Sequence, residues 1–353
     1  MDILITILCC LIVLSVLVFL HEGGHFVAAR LFGVRVSEFM LGLPGPRLSF
    51  KHNDTRYGVT CVPLGGYARV CGMEPGNMHP HLPEVLKLVH EKGNVTVPFV
   101  KHELDISLDE AEDALDELVD WGCVVRGKSK DYKDKPIEYF AADINGYKLG
   151  EKREVKDKDK YFKEEYFKQY RSLPFWKRII ILLAGIFVNI LFAFIVFVIL
   201  YSFVGFDVQQ QATGEITHIN MTPIEAIQYG INYLWAVICA VVNLFNPATM
   251  AETVSNSTSL IGIAVISKSA AEAGICAFLE FMAMISISLG IMNLLPIPPL
   301  DGGRFLIEIY QVITKKNVSV RAINIISFIG IALILLLFVV VMNQDIQRFI
   351  LGN

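Results

Sequence analysis

The stretch ILITILCCLIVLSVLVFL, residues 3–20, continues without a break into HEGGH at residues 21–25. It contains no charged residue, and its length is close to the roughly 20 apolar residues that a helix needs to cross a bilayer. Asp2 precedes it instead of a basic cluster, and no small-residue cleavage site follows it. We therefore interpret it as a membrane span with ionisable residues at one end, and not as a signal peptide.

The remaining chain contains three more apolar runs, at 179–205, 275–297 and 323–342, and a weaker one at 224–246. We expect the first three to span the membrane and the weaker one to lie in the interface. The chain of 353 residues is 54% hydrophobic and only 19% charged, which excludes a disordered protein. Its seven cysteines are scattered and odd in number, which excludes a disulfide scaffold. The sequence thus predicts an α-helical polytopic membrane protein with about four transmembrane helices.

The basic residues are unevenly distributed, and this predicts the orientation in the membrane. Residues 30–178 hold 25 of the 31 lysines and arginines, whereas 201–267 hold none and the 303–321 loop holds four. Because cytoplasmic loops are enriched in lysine and arginine, we expect residues 34–173 to be cytoplasmic and both termini to be extracytoplasmic. A fifth span at 224–246 would contradict this pattern, which favours the interfacial interpretation.

The HEGGH motif has the spacing of a catalytic metal site. His21 and His25 are four residues apart and share one helix face, so both rings can reach one ion. Glu22 is then placed to take a proton from a metal-bound water. Ionisable residues at the end of a span are costly and usually functional. The alternative is a polar patch that caps the span, with Gly23 and Gly24 at a frayed helix end or allowing close packing.

A third ligand is expected from the sequence NLLPIPPLDGG at residues 293–303. Its prolines stop a regular helix, and its glycines let the backbone bend. Asp301 is therefore displayed where the third span breaks, at the same cytoplasmic depth as the two histidines. The alternative is that Asp301 only belongs to a turn after the helix.

These two motifs together resemble the site-2 protease family of intramembrane zinc metalloproteases, in its bacterial form. Shorter matches are PLGGY at 63–67, AGIFVN at 184–189 and LIGIA at 260–264, the last without the Gly-Pro pair that is usual in the family. The similarity covers about 1–78, 174–206 and 256–350. It implies a multi-pass protein of a bacterial plasma membrane that cuts transmembrane protein substrates.

The resemblance also implies roles for individual residues. One Zn²⁺ per chain would be held by His21, His25 and Asp301, with Glu22 as the general base. Substrate binding would involve Asn293, which could instead contact the developing oxyanion, together with Asn189, Gly65 and Gly66. Asn189 lies in mid-span, where it could equally be a hydrogen-bonding group of the helix packing.

The segment 34–78 contains four short β pieces separated by glycine and proline, at Val34–Leu41, Arg47–Lys51, Tyr57–Val62 and Tyr67–Val70. This segment resembles the membrane-associated β hairpin that members of the family have. An exposed strand edge could pair with an unwound substrate. The alternative is a surface hairpin that only packs on the spans.

Two features differ from the family pattern. Many bacterial members carry PDZ domains outside, and the interval 206–274 has no room for one. The extra residues lie instead in the cytoplasmic loop, at 79–147, where a helix, a second helix, a capped third helix and a β hairpin resemble a winged helix. Its third helix is acidic and contains no lysine or arginine. We therefore expect this insertion to bind a cytoplasmic protein and not nucleic acid.

The basic tip of the predicted hairpin, around 126–135, leaves contact with a membrane surface open. The mixed-charge segment 148–173 is interpreted as a linker or an amphipathic helix. The predicted organisation is thus 1–33 first span, 34–78 β region, 79–147 insertion, 148–173 linker, 174–206 second span, 207–274 extracytoplasmic or interfacial segment, 275–303 third span, 304–322 cytoplasmic loop and 323–345 fourth span.

The function predicted from these features is zinc-dependent hydrolysis of peptide bonds within transmembrane segments. The alternative is a non-catalytic membrane sensor or adaptor that acts through the winged-helix-like insertion. Glu22 argues against the alternative, because a purely structural metal site needs no base. The lipid bilayer is the other expected partner.

Overall fold

The computed structural model describes residues 2–62, 65–73, 78–127, 137–209, 216–298, 300–316 and 318–348. Pro63 and Leu64 of the predicted PLGGY match, and most of the basic hairpin tip, lie outside the described residues. The helices are α1 Asp2–Leu31, α2 Leu82–Lys92, α3 Val97–Leu104, α4 Leu108–Asp120, α5 Lys158–Tyr166, α6 Phe175–Val198, α7 Pro223–Asn243, α8 Met250–Asn256, α9 Leu260–Ala273, α10 Ile275–Asn293, α11 Asp301–Thr314 and α12 Val320–Ile346. The strands are β1 Val36–Leu41, β2 Arg47–His52, β3 Thr55–Thr60, β4 Gly66–Val70, β5 Asn94–Thr96, β6 Val124–Arg126, β7 Glu138–Ala141, β8 Phe206–Gln209 and β9 Ile216–Ile219.

Helices α1, α6 and α10 form the centre of the membrane bundle, and they pack on one another through apolar side chains. Helix α1 continues to Leu31, so the HEGGH motif lies within a helix and not at a frayed end. A Cβ on Gly24 would lie 2.5 Å from the carbonyl oxygen of Ala184 in α6. Gly24 therefore permits the close approach of α1 and α6, as small residues do at helix crossings in membranes.

Among the described residues, five helices are long and apolar enough to cross a membrane, where the sequence predicted about four. The additional one is α7, which was assigned to the interface. Its N-terminal flank is held by a hydrogen bond from Met221 N to Tyr201 O of 2.8 Å. Its C-terminal side leads to α8, where Ser255 O accepts from Arg348 at 3.1 Å. The N-terminal flank of α7 thus lies near the C-terminal end of α6, and α8 lies near the C-terminal end of α12. The interfacial position of α7 stays a prediction.

The four predicted β pieces form one sheet with the strand order β2-β3-β1-β4, instead of an isolated hairpin. Strand β1 pairs in parallel with β3 and antiparallel with β4, and β2 and β3 form the hairpin. The hairpin exposes Leu48 and Phe50, which are 86% and 66% accessible. Strand β4 is an edge strand that packs on α1. The membrane association of the sheet stays a prediction.

The insertion folds around its own apolar core, in the element order α2, β5, α3, α4, β6, β7, with the sheet order β5-β7-β6. Helix α4 begins with the predicted capping box, in which Ser107 and Glu110 bond each other's backbone N–H groups at 2.8 and 3.1 Å. This order is compatible with a winged helix, which stays an interpretation.

The segment 148–173 is less free than a linker would be. Helix α5 packs Tyr161, Phe162 and Tyr166 against the core of the insertion. Its buried Glu165 pairs with Arg35, which follows α1, at 2.7 Å. We call the insertion together with α5 the cytoplasmic module, after the location that its charge predicts. The Arg35–Glu165 pair ties this module to the chain that leaves the HEGGH helix.

Candidate metal centre

Three predicted ligand residues, which are far apart in sequence, come together at one end of the bundle. The Nε2 atom of His21 lies 3.0 Å from Oδ2 of Asp301, and Nε2 of His25 lies 3.2 Å from the same oxygen. The two Nε2 atoms are 3.3 Å apart. Both rings are buried, at 6% and 9% accessible. Among the described residues this is the one group of three or more histidine, cysteine or acidic side chains with a metal-binding arrangement.

The donor set fits a zinc ion. Ligands that bind zinc tetrahedrally at about 2.0–2.1 Å lie about 3.3 Å from each other, and the three observed separations are 3.0, 3.2 and 3.3 Å. Nitrogen and carboxylate oxygen are common zinc ligands, and three protein ligands leave a fourth position for water. With both Nε2 atoms unprotonated, their lone pairs and the carboxylate oxygen converge on one point, where a cation can bind all three.

The orientation of each histidine ring is set by a contact of its Nδ1 atom, on the side away from the candidate metal position. Nδ1 of His25 donates to the carbonyl oxygen of Ile181 in α6 at 2.7 Å, which leaves Nε2 free to bind a metal. Nδ1 of His21 lies 3.4 Å from Nδ2 of Asn189, a residue that is fully buried in α6. Asn189 is held by its own backbone oxygen, which accepts from Ser286 of α10 at 2.9 Å. The side chain of Asn189 thus contacts a candidate ligand, His21, from within the helix packing.

Asp301 is brought to the site by a sharp change of direction after α10. Helix α10 ends at Asn293, and Asp301 is the first residue of α11. A Cβ on Gly302 or Gly303 would overlap backbone atoms of the 294–298 turn, so the two glycines let α11 start directly beneath it. An ion pair of 2.8 Å between Glu308 and Arg178 holds α11 against α6.

Glu22 lies beside the three candidate ligands and is partly exposed to a cavity. Its Oε2 accepts a hydrogen bond of 2.9 Å from the backbone N–H of Ala68 in β4. The cavity measures about 200 Å³, and its lining includes Glu22, His25, Asp301, Tyr67, Ala68 and Arg304. A water-sized or peptide-sized group in this cavity can therefore contact the carboxylate and the candidate ligands at once.

The other predicted site residues differ in their distance from this centre. A Cβ on Gly66 would lie 3.8 Å from Cγ of Glu22, so β4 passes directly over the carboxylate there. Gly65 precedes it, and its carbonyl oxygen accepts from Gly42 N at 2.8 Å. Asn293 is half-buried at the end of α10, and no described contact joins it to the three ligands.

Sequence reasoning missed three groups that shape the site. The Ile181 carbonyl and the Ala68 N–H are backbone atoms, so no side-chain pattern reports them. Gly185 is the third, since a Cβ there would overlap Nε2 of His25 and lie 2.8 Å from the carbonyl oxygen of His21. The Ala184-Gly185 pair of the family match was a signal for it, although its contact with the ring could not be read from the sequence.

Comparisons with known proteins agree with this centre. The model of peptidase family M50 matches residues 9–337. A zinc metalloprotease RasP of Geobacillus kaustophilus is 26% identical, with 97% of each chain covered. A regulator of sigma-W protease RasP of Bacillus subtilis is 25% identical, with 98% of this chain and 99% of the relative covered. A zinc metalloprotease RasP of Oceanobacillus iheyensis is 26% identical, with 98% and 100% covered. The chain belongs to peptidase family M50, the site-2 protease family, and is a multi-pass membrane zinc metalloprotease.

Proposed function

We propose that this metalloprotease hydrolyses peptide bonds within the transmembrane segments of other membrane proteins. The observation that carries the proposal is the placement of His21, His25 and Asp301 around one point between membrane helices, with Glu22 beside them. Ionisable residues within membrane segments are energetically costly, and those that occur are usually functional. One relative is named a regulator of sigma-W protease, which supports a role for this chain in regulatory proteolysis.

In the proposed mechanism the three ligands are His21, His25 and Asp301. Bound zinc would acidify a water and polarise the scissile carbonyl. Glu22 accepts the proton of the attacking water on its free oxygen, because Oε2 is already bonded to Ala68 N. Glu22 then delivers the proton to the leaving amine. Because water attacks the carbonyl directly, no acyl-enzyme forms.

We assign Asn189 a positioning role. When Nε2 of His21 binds a cation, its Nδ1 carries a proton and needs an acceptor. The Oδ1 atom of Asn189 is buried and has no hydrogen-bond partner. A half-turn of the amide exchanges Oδ1 with Nδ2, so that Oδ1 accepts from Nδ1 of His21. Both the orphaned oxygen and the ring are then satisfied. Asn293 stays a predicted contact of the substrate or of the developing oxyanion.

The edge strand β4 is the proposed binding surface for the unwound substrate. A helical segment hides its peptide bonds in internal hydrogen bonds, and these must open before hydrolysis. Strand β4 runs past Glu22 with Gly65 and Gly66 at its start, and its outer edge has no strand partner among the described residues. An unwound substrate segment can add to this edge as an extended strand, which presents its carbonyls to the site.

The positions of the helix ends support a four-span topology with both termini extracytoplasmic. The zinc site lies at the N-terminal end of α6 and the C-terminal end of α10, next to the basic cytoplasmic loops. Met221, just before α7, and Ser255, in the α8 segment that follows it, both bond residues at the opposite end of the bundle. In this proposal α7 enters and leaves on the extracytoplasmic side, and residues 34–173 are cytoplasmic.

Glu22→Gln tests the proposed mechanism, because glutamine keeps the acceptor for Ala68 N but cannot take a proton. The purified variant should bind one zinc per chain and leave single-span substrates uncut. Glu280→Gln is the matched control, since Glu280 is an acid within the third apolar run and accepts a hydrogen bond of 2.5 Å from the Tyr201 hydroxyl at the far end of α10. It should cut normally. Cleavage that persists in Glu22→Gln would refute the role of Glu22.

For the cytoplasmic module we propose binding to a cytoplasmic protein. The exposed face of α4 consists of carboxylates, at Asp109, Glu110, Glu112, Asp113 and Asp116, and a phosphate backbone would be repelled by it. Pull-down with the Glu112→Lys, Asp113→Lys double variant should lose the partner that the unchanged chain captures. Retention of nucleic acid by the unchanged chain in the same assay would contradict this proposal.

A further inference from the structure

A second cavity adjoins the one that contains Glu22 and the candidate ligands. It measures about 410 Å³ and lies between β4, α11 and the first half of α12. The two cavities share lining residues, including Tyr67, Ala68, Val70, Met73 and Arg304. They are therefore two parts of one cleft, and we call the second part the side groove.

The direction of the side groove follows from the elements that line it. From the zinc site it extends along β4 to Arg69 and along α11 to Gln311, and its lining reaches Asp120 at the end of α4. Asp120 belongs to the cytoplasmic module, so the groove leads away from the membrane bundle. Its volume lies within the range of sites that bind small ligands, which suits an extended chain and excludes a folded domain.

Strand β4 gives this groove a register for a peptide. Three of its five residues, Tyr67, Ala68 and Val70, border both cavities, and Arg69 borders the side groove. The N–H of Ala68 points away from β1, towards Glu22, so the outer edge of β4 faces the cleft. An extended strand advances about 3.3 Å per residue, so a chain paired with β4 passes from the zinc site into the side groove over about five residues. The groove is thus a continuation of the proposed substrate path.

The charges along the groove are not balanced. Glu308 is paired with Arg178 at 2.8 Å, and Asp120 and Arg171 each have an interaction partner. In the described part of the chain, Arg304 and Arg69 have no carboxylate within ion-pairing distance, and both are exposed. Arg304 also lines the cavity that holds Glu22 and Asp301. The unneutralised charge of the groove is therefore positive, next to the zinc site.

We propose that the side groove binds the extended segment of the substrate on the cytoplasmic side of the cut, and that Arg304 selects substrates with a carboxylate there. This inference rests on the proposed protease function and adds a specificity-determining residue to it. The cytoplasmic module closes the far end of the groove through Asp120. A substrate must then present several unfolded residues between its membrane segment and any folded cytoplasmic domain.

Photo-crosslinking tests the location without requiring catalysis. The full zinc-loaded Glu22→Gln chain, in lipid nanodiscs, carries a photoreactive residue in place of Gln311. The probe is a synthetic single-span peptide with a ten-residue Gly/Ser tail that contains one glutamate on its cytoplasmic side. We expect crosslinks to the tail from position 311. Tyr310 is the matched control, because it is the adjacent, exposed residue of α11 and does not line the groove. Equal crosslinking of the tail from 310 and 311, or none from 311, overturns the location.

A charge exchange tests the role of Arg304. Two probes that differ only in glutamate or lysine in the tail compete for the same chain, and mass spectrometry gives the ratio of crosslinked products. The unchanged Arg304 should favour the glutamate probe by about two- to fivefold, which is the range of an exposed ion pair. Arg304→Glu should reverse the ratio, and Arg321→Glu, an exposed arginine outside the groove, should leave it unchanged. An unchanged ratio in Arg304→Glu overturns the specificity role.

The outcomes separate this inference from the proposed function. If Glu22 is not the base, the Glu22→Gln chain cuts the probe, and both fragments appear by mass spectrometry whatever the crosslinks show. If the groove is not the path of the tail, the unchanged chain still cuts the probe while position 311 stays unlabelled.

Discussion

Two clusters of buried polar side chains lie on either side of the end of α1, and they are built on opposite principles. In the candidate zinc site, Nε2 of His21, Nε2 of His25 and Oδ2 of Asp301 converge at 3.0–3.3 Å. In the cytoplasmic module, the Arg35 guanidinium donates to the Glu165 carboxylate at 2.7 Å. The first cluster is complete only with a cation, whereas the second neutralises itself. Complementarity within a buried cluster thus separates a structural ion pair from a metal site.

The largest effect is expected from the removal of a ligand. Asp301→Ala should reduce zinc from one per chain to well below that value and abolish cleavage, because two histidines alone bind the ion weakly. Elemental analysis of the purified protein gives the zinc content. Asp345→Ala is the matched control, since Asp345 is also a buried carboxylate of the bundle and accepts from Ser259 at 2.6 Å far from the site. Normal zinc in Asp301→Ala would remove it from the ligand set.

A smaller effect is expected from the shape of the site alone. Gly185→Ala places a methyl group against both histidines, and displacement of a catalytic group by about 1 Å can cost about 100-fold in rate. We expect at least that loss in kcat/KM, measured on a fluorogenic single-span peptide. In Gly290→Ala the new methyl meets its nearest atom at 3.5 Å, so activity should stay within about twofold. Equal losses in both variants would argue against a specific contact with the rings.

A substitution in the Arg35–Glu165 pair should lower the stability of the module and leave zinc binding unchanged. Glu165→Gln removes the closer of the two carboxylates that pair with the buried Arg35 guanidinium and leaves only Asp54, whose Oδ2 lies 3.7 Å from Nε. We expect this to cost about 3 kcal/mol. Urea unfolding followed by Trp121 fluorescence, with Trp176 and Trp235 replaced by phenylalanine, measures the loss. Glu91→Gln, in an exposed pair with Lys87 at 3.6 Å, should change stability by about 0.5 kcal/mol or less. Loss of zinc in Glu165→Gln would contradict the separation of the two clusters.

Per pH unit, the smallest effect is the pH dependence of the module. Burial lowers the pKa of His90 to about 4, and the neutral ring is satisfied by Cys123 O at 2.9 Å and the Tyr161 hydroxyl at 2.8 Å. The unfolded chain binds a proton on this ring below about pH 6.5, so unfolding takes up a proton between about pH 6.5 and 4. The free energy of unfolding should therefore decrease as the pH is lowered from about 6.5 to 4, by up to about 1.4 kcal/mol per pH unit.

The same fluorescence assay compares His90→Gln, which should flatten the curve in that window, with the exposed control His102→Asn, which should not. Glu165 adds a separate decline at lower pH. Burial raises its pKa, but the Arg35 guanidinium outweighs burial and holds the pKa at about 2. Its contribution is therefore present above about pH 4.3 and is lost as the pH falls towards 2. Identical slopes for His90→Gln and the unchanged chain would contradict the assignment to His90.

Much of the fold could be predicted because its signals are local. The apolar runs reappear as α1, α6, α10 and α12, and Ser107 begins α4 with a capping box. The β pieces were also identified by composition. The sequence did not predict that they form one four-stranded sheet with β1 parallel to β3, since strand pairing joins residues that no local pattern connects. The segment that contains α5 was interpreted as a linker or an amphipathic helix, and its packing could not be predicted, because its partner core begins about 80 residues earlier.

The sequence by itself determined the types of residue that the site requires, namely two histidines one helical turn apart, the glutamate between them and an aspartate after a broken span. Their chemistry and spacing are local properties, and they suffice for the family. Only the tertiary structure decided how these groups meet. The Ile181 carbonyl orients His25, Gly185 makes room for the rings, and the edge of β4 turns the site into a cleft. These are contacts between backbone groups and side chains that are distant in sequence, and they exist only once the helices have packed.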